Sequence, residues 1–130
     1  MKGYIQNIEE ETKNNNFFRK VVFTGEHCQL VVMSLKPGED IGEEVHPNVD
    51  QFFRIEEGSA KIVIDGGEAN AEAEFAVIVP AGSMHNVINT SEDRDLKLYT
   101  VYSPPNHPEG TVHETREDAM KAEAEHHGEE

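Results

Sequence analysis

The amino-acid sequence predicts an all-β fold of the barrel or sandwich type. Short apolar or alternating runs recur from Phe17 to Tyr102, and residues that favour turns separate them, which is the pattern of such folds. The runs are Phe17–Phe23, Leu30–Leu35, Gln51–Ile55, Ala60–Ile64, Phe75–Val79, His85–Ile88 and Leu96–Tyr102. Asp65-Gly66 suits a tight hairpin, because glycine tolerates the positive φ that such turns need. We therefore expect one β domain over residues 17–102.

The segments on either side of this domain differ from it in composition. Residues 1–16 form a polar lead-in, in which Asn14-Asn15-Asn16 is a turn signal. Residues 103–130 begin with prolines at 104, 105 and 108, which lack the backbone donor of a central strand and predict an extended arm. Thr115-Arg116-Glu117-Asp118 has the spacing of a helix-capping box, so we predict a polar surface helix over residues 119–127.

Composition restricts the function classes. The chain has 130 residues and a formal net charge of −15, and this charge disfavours binding to nucleic acid or to anionic membranes. No apolar run approaches the length of a membrane span, and the first residues lack a secretory signal pattern. We therefore expect a cytoplasmic protein. Its one cysteine, Cys28, cannot form an internal disulfide and is predicted to be a small buried side chain.

Two histidines beside predicted strands suggest a metal site inside the barrel. His85 begins the predicted strand after the turn Pro80-Ala81-Gly82 and shares a face of it with Val87. If Val87 faces the barrel interior, His85 does too. His46 and Asn48 share a face if that segment is extended, and a turn or bulge after Asn48 would bring Gln51 inward as well. Two imidazole nitrogens and two amide oxygens would then converge, which predicts a metal-binding pocket.

The same segments resemble the two sequence motifs of the cupin family, and the resemblance covers roughly residues 35–102. The second cupin motif, P-x-G-x-x-H-x-x-x-N, is matched in full. The matching residues are Pro80, Gly82, His85 and Asn89. In the first motif His46 matches the first histidine and Gly58 the glycine, whereas Asn48 and Gln51 stand at the second histidine and the glutamate. The chain thus resembles a small single-domain cupin.

This resemblance implies a double-stranded β-helix, that is, a jelly-roll barrel, and it implies a homodimer. It also implies a divalent metal ion (Mn, Fe, Ni or Zn) bound at the motif positions. In this sequence those positions are His46, Asn48, Gln51 and His85. Amide oxygens are weaker and harder ligands than imidazole, so we expect weaker metal binding than in a site of three histidines and one glutamate.

Several polar residues near these motifs have alternative roles. Gln51 is either a ligand or a satisfied amide of the barrel interior, and Asn48 equally suits a turn. The pair Glu43-Glu44 is expected to be solvated, with one of the two able to reach the pocket mouth. His107 and His113 are expected to pin the arm rather than to close the barrel.

Two main hypotheses of function follow, beside a structural one in which the barrel is a dimerisation unit with a vestigial site. The first is a metal-binding cupin that binds or transforms a small polar metabolite, such as a sugar, a sugar phosphate or a keto acid. If it is an enzyme, isomerisation or epimerisation is favoured over dioxygenase chemistry. The alternative is a non-catalytic barrel that binds or senses a small molecule, metal-free or with a vestigial site. Small bacterial cupins with a similar tail are loosely labelled relatives of mannose-6-phosphate isomerase, and that label reflects fold rather than activity.

Overall fold

Two antiparallel β-sheets form the barrel, and the computed structural model describes residues 2–129, with side chains through residue 124. The strands are β1 (Arg19–Thr24), β2 (Gln29–Leu35), β3 (Asp50–Glu57), β4 (Ser59–Ile64), β5 (Gly67–Glu72), β6 (Ala76–Val79), β7 (His85–Asn89), β8 (Leu96–Ser103) and β9 (Val112–His113). The helices are α1 (Ile8–Asn14) and α2 (Arg116–Glu129). One sheet has the order β6-β3-β8-β2-β1-β9 and the other the order β5-β4-β7.

The core lies between the two sheets and follows from the alternation of side chains along each strand. Phe53 of β3 and Val87 of β7 are both 1% exposed. The same alternation buries two polar side chains, those of Gln51 in β3 and His85 in β7. The apolar cluster around them comprises Phe18, Val21, Val31, Met33, Leu35, Ile41, Phe53, Ile55, Ala60, Ile62, Ala71, Val79, Val87, Leu96, Leu98, Tyr102 and Ala119. Polar groups therefore enter the barrel on strands that also carry core residues.

Helix α1 covers the outer face of the larger sheet at β2 and β8. This cover explains why Val32 and Lys97, which point away from the core, are nevertheless buried. Lys97 Nζ donates to the backbone oxygen of Asn15 at 2.6 Å and to Asn16 Oδ1 at 2.9 Å. The ammonium group thus holds the end of α1 against β8. Within residues 2–129, neither helix has the length and hydropathy needed to cross a membrane.

The predicted all-β fold with a short C-terminal helix is confirmed. Each of the seven predicted runs overlaps one strand, and Asp65-Gly66 forms the hairpin between β4 and β5 with φ of 49° and 83°. Strands β5 and β9 were not predicted, because β5 is a polar edge strand and β9 has two residues within the arm. The prediction that Cys28 is buried was wrong: it is exposed in the β1–β2 turn, where its backbone oxygen accepts from Gly25 N.

The loop between β2 and β3 runs along the edge of β7 that β4 leaves free. Five backbone hydrogen bonds join residues 38–44 of this loop to β7, from Gly38 N to Asn89 O at one end to a reciprocal pair between Glu44 and His85 at the other. The two bonds of that pair are both 2.9 Å long. The loop therefore behaves as an additional, irregular strand of the smaller sheet and fixes Glu44 directly opposite His85.

The C-terminal arm is attached to β2 by one buried side chain. Gln29 Oε1 accepts hydrogen bonds from the backbone nitrogens of Asn106 and His107, at 3.1 and 2.9 Å, and Gln29 Nε2 donates to His107 O at 2.8 Å. Strand β9 then pairs with β1, and Arg116 of α2 donates to Asp40 in the β2–β3 loop. These contacts bring the arm and α2 beside the loop that carries Glu44.

Gly58, the glycine of the first motif, offers a test of the junction between β3 and β4. Its φ is +93°, and a Cβ atom there would lie 2.8 Å from Asp95 O. Gly38 also has positive φ, +79°, but open space around it. We expect both alanine variants to lose stability, and Gly58→Ala to lose about 1–3 kcal/mol more, because only that variant overpacks against backbone. Urea unfolding of the two variants measures the difference, and equal losses would contradict the structure.

Candidate metal centre

Three side chains bring metal-binding atoms together at one end of the barrel. One donor atom each of Glu44, His46 and His85 lies within 4.8 Å of the other two. Glu44 and His85 are directly opposed in an antiparallel bridge, and such residues project to the same face. His46 lies two residues beyond Glu44, and its backbone oxygen accepts from Gly82 N at 2.9 Å. The turn of the second motif therefore holds the histidine of the first.

His85 presents an unoccupied acceptor to this cluster. Its side chain is 1% exposed, and its Nδ1 lies 3.3 Å from Ser83 O. Burial lowers the pKa of His85 below its ordinary value, so the ring is neutral at neutral pH. With the proton on Nδ1 donated to Ser83 O, Nε2 has a lone pair, and Nε2 is buried without a hydrogen-bond partner. This is the tautomer that a metal ligand requires, fixed by a bond on the other ring nitrogen.

Glu44 and His46 form the second half of the cluster. Glu44 Oε2 lies 3.0 Å from His46 Nε2, and the side chains are 16% and 15% exposed. The sequence predicts that Glu43 and Glu44 are solvated, with one of the two able to reach the pocket mouth, and it does not identify Glu44 as a ligand; the structure places Glu44 in the cluster and on the cavity wall. A signal was present: in an extended segment Glu44 and His46, two residues apart, share a face. The cluster thus contains one carboxylate and two imidazoles.

The four predicted ligands have different surroundings. His46 and His85 lie together, with ring centroids 5.5 Å apart. Gln51 is 2% exposed; its Nε2 donates to Thr100 Oγ1 at 3.0 Å, and its Oε1 is buried without a partner. Asn48 is exposed. The ligand set of His46, Asn48, Gln51 and His85 stays a prediction.

Asn89, the last residue of the second motif, has a structural position. It is 1% exposed, and its Nδ2 donates to Leu35 O at 3.0 Å and to Arg94 O at 2.8 Å. Its Oδ1 accepts from Ser91 N at 3.0 Å. The side chain therefore ties the end of β7 to the end of β2 and to the following turn, and it does not point to the histidines.

A cavity of about 610 Å³ opens beside the cluster. The β2–β3 loop contributes Glu44 and His46 to its wall, β1 contributes Arg19, and the arm contributes His107 and His113. His113 lies on β9 with Nδ1 3.3 Å from Arg19 Nη1. The expectation that both arm histidines pin the arm is consistent with these contacts, but the two side chains also line a space that reaches the cluster.

Two groups beside the cavity are held neutral by burial. Burial raises the pKa of Tyr102 well above its ordinary value, and burial lowers the pKa of His107 to about 3. The two side chains meet through a 3.2 Å contact between His107 Nε2 and Tyr102 Oη. His46 packs edge-on against the same tyrosine, with ring centroids 5.9 Å apart. Tyr102 therefore links the arm to the cluster without carrying charge.

The residues present fit a divalent metal ion. Two imidazoles and one carboxylate are a donor set that first-row divalent metals accept. The buried, unpartnered Nε2 of His85 is the strongest structural indication, because a buried acceptor without a donor is costly unless something binds it. The donor set does not select one metal among Mn, Fe, Ni and Zn.

Comparison with known proteins agrees with this fold. Residues 31–102 match the family model Cupin_2, the cupin domain. The chain belongs to the cupin family, and the predicted resemblance to small single-domain cupins is confirmed. It is 51% identical over 128 residues to YrkC of Bacillus subtilis (strain 168), covering 94% of this chain and 68% of that protein. It is 45% identical over 113 residues to a protein of Acanthamoeba polyphaga mimivirus, covering 84% of this chain and 70% of that one.

Solved structures show the same likeness. The crystal structure of BH2720 from Bacillus halodurans superimposes with a TM-score of 0.88 at 46% sequence identity, covering 91% of this chain and 93% of that one. TT1209 from Thermus thermophilus superimposes with a TM-score of 0.69 at 25% identity, covering 80% and 98% of the two chains. The similarity extends beyond the motif region, since the match to BH2720 covers most of both chains.

The neutral His107 predicts a specific loss of stability in acid. Its pKa is about 3 in the folded protein and about 6.5 in the unfolded chain. Between these values only the unfolded chain binds the proton, so stability falls as pH decreases, by at most about 1.4 kcal/mol per pH unit. We expect the stability difference between wild type and His107→Gln to shrink from pH 7 to pH 5. Urea unfolding at both pH values measures it; a constant difference would contradict the burial of a neutral imidazole.

Proposed function

We propose that this cupin binds one divalent metal ion through His46, His85 and Glu44 and uses that site to bind a small polar metabolite. The observation that carries the proposal is the buried, unpartnered Nε2 of His85 within 4.8 Å of the two other donors. When bound, the ion supplies Lewis acidity and coordination positions for oxygen atoms of a ligand. Sugars, sugar phosphates and keto acids all offer such oxygen atoms.

Gln51 is the fourth donor in this proposal. Its Oε1 is buried without a partner, while its amide nitrogen is held by Thr100. This arrangement fixes the amide and leaves the oxygen available, as expected of a neutral ligand. Asn48 is included in the proposed set because of its motif position alone. Its side chain is exposed, so ligation by Asn48 requires residues 47–49 to turn inward. The carboxylate of Glu44 supplies the negative charge that the two amides lack.

The chain's own residues determine what reaches the ion. Access is through the cavity between the β2–β3 loop, the arm and α2, and its volume of about 610 Å³ suits a small ligand. The Gln29 side chain holds the arm in position through backbone atoms of the arm, and His107, which contacts Tyr102, is a neutral part of the wall. A ligand in this cavity would therefore contact both the cluster and the arm.

A non-catalytic binding or sensing barrel is the second candidate, and the protonation states favour it over acid–base catalysis. A general acid or base works best with a pKa near the working pH. Burial moves the pKa of Tyr102 up and the pKa of His107 down to about 3, so neither exchanges protons readily at neutral pH. The arrangement is better suited to holding a ligand than to proton transfer by these two groups.

The test of this proposal is the metal content of protein purified without a histidine tag, after incubation with Mn, Fe, Ni or Zn. We expect about one ion per chain in the wild type and none in the His46→Ala, His85→Ala double variant. Glu44→Gln should weaken metal binding by about 100-fold or more, since even partners outside the ligand shell contribute 10- to 100-fold. Mass spectrometry of the metal and competition with a chelator measure both quantities.

His27→Ala is the matched control, because the His27 side chain is 88% exposed on the β1–β2 turn. It should bind metal as the wild type does. Absence of bound metal in the wild type would overturn the metal site and leave a metal-free binding barrel. Equal metal binding by the wild type and the double variant would show that the ion is held elsewhere.

A further inference from the structure

Arg19 is a buried cation beside the proposed metal centre, and the proposal above gives it no role. Its side chain is 1% exposed, and it lines the cavity. It lies at the start of β1, where it pairs across the strands with His113 of β9. A buried guanidinium is costly unless acceptors surround it. The acceptors around Arg19 therefore show which of its N–H groups are left for a ligand.

One edge of the guanidinium has no hydrogen-bond acceptor. Nη1 donates to Nδ1 of His113 at 3.3 Å. Nε is buried without a partner, and Nη2 is 4.0 Å from Glu44 Oε1, beyond hydrogen-bond distance. Nε and Nη2 carry the two roughly parallel N–H groups with which arginine binds a carboxylate in bidentate fashion. In the part of the chain with described side chains, this edge is unused.

Glu44 is an insufficient counter-ion for Arg19. Its other oxygen lies 3.0 Å from His46 Nε2, and the proposed function assigns the same carboxylate to the metal. Glu43 and Glu123 also line the cavity, but among residues 2–124 Glu44 is the one carboxylate within 4.0 Å of the guanidinium. Metal binding thus engages the nearest anion of Arg19 and leaves the guanidinium without an anionic partner among residues 2–124.

We propose that the Nε/Nη2 edge of Arg19 binds a carboxylate of the ligand, so that the ligand of this cupin is a short carboxylic acid. This inference rests on the proposed function, because it specifies the ligand of the same site. A second oxygen of the ligand faces the metal centre. Since Arg19 Nη2 and Glu44 Oε1 are 4.0 Å apart, the two oxygen functions lie close together, as in small keto acids, hydroxy acids and dicarboxylic acids. Neutral sugars lack the group that Arg19 selects.

The test uses malonate as the probe, its neutral isostere malonamide and inorganic phosphate, each titrated calorimetrically into Mn²⁺-loaded and metal-free protein. We expect malonate to bind, malonamide not to bind, and phosphate to bind more weakly than malonate. Arg19→Lys keeps the charge but loses the bidentate edge, and it should bind malonate about 10- to 100-fold more weakly with unchanged Mn²⁺ affinity. Arg94→Gln, at an exposed arginine in the β7–β8 turn, is the matched control.

A second readout needs no variant and is made on the wild type. The Arg19 Nε–H resonance of ¹⁵N-labelled protein should shift on addition of malonate and not of malonamide. Equal malonate affinity in wild type and Arg19→Lys, or a resonance that does not move, would overturn the inference. So would tighter binding of phosphate than of malonate. Loss of Mn²⁺ affinity in Arg19→Lys would also overturn it, because Arg19 would then act by positioning Glu44.

Failure of the metal site is distinguishable from failure of this inference. If the wild type binds no Mn²⁺, the proposed function fails, and the titration of metal-free protein still decides the role of Arg19. Malonate binding that depends on Arg19 in that protein would support a carboxylate site without metal. Absence of such binding would overturn both.

Discussion

The site depends on how the free edge of β7 is satisfied. One edge of β7 pairs with β4, and the backbone groups of the other need partners, because unpaired buried backbone groups are costly. The irregular loop of residues 38–44 supplies them through five hydrogen bonds. The last two bonds fix Glu44 opposite His85, and two residues later His46 meets the Pro80–Gly82 turn. The same hydrogen bonds therefore close this edge of the barrel and place the residues of the cluster.

The polar atoms that the fold leaves unsatisfied gather at this end of the barrel. Among the described residues, three buried side-chain atoms without a hydrogen-bond partner lie here: His85 Nε2, Gln51 Oε1 and Arg19 Nε. Each such atom costs about 1–3 kcal/mol. Two are acceptors and one is a cationic donor, so a cation and an anion together would satisfy them. Other buried polar side chains, such as those of Asn89 and Gln29, are hydrogen-bonded within the fold, so the unsatisfied groups are concentrated in one place.

Seven strands of the barrel could be predicted from the sequence, because apolar and alternating runs are the pattern of strands that bury one or both faces. The sequence also predicted that His85 and Gln51 enter the interior, since both stand in register with core residues such as Val87 and Phe53. It did not predict β5, whose polar sequence gives no burial signal at a sheet edge. Glu44 was missed for another reason: its position follows from hydrogen bonds to β7, and pairing between distant segments leaves little trace in local composition. The unpaired Nε/Nη2 edge of Arg19 could not be predicted from the sequence either, because it depends on the distances between β1, β9 and the β2–β3 loop.

The attachment of the arm to Gln29 fixes the position of the cavity wall through backbone atoms, whereas the side chains of the arm determine which chemical groups face the cavity. Gln29 holds residues 106 and 107 through their backbone atoms alone, and every amino acid except proline offers the same nitrogen and oxygen there. The Asn106 side chain can therefore be exchanged while the wall stays where it is, whereas the His107 side chain also contacts Tyr102. Relatives that keep a glutamine at position 29 thus have a means to change ligand preference by single substitutions in the arm, without rebuilding the barrel or disturbing the histidines.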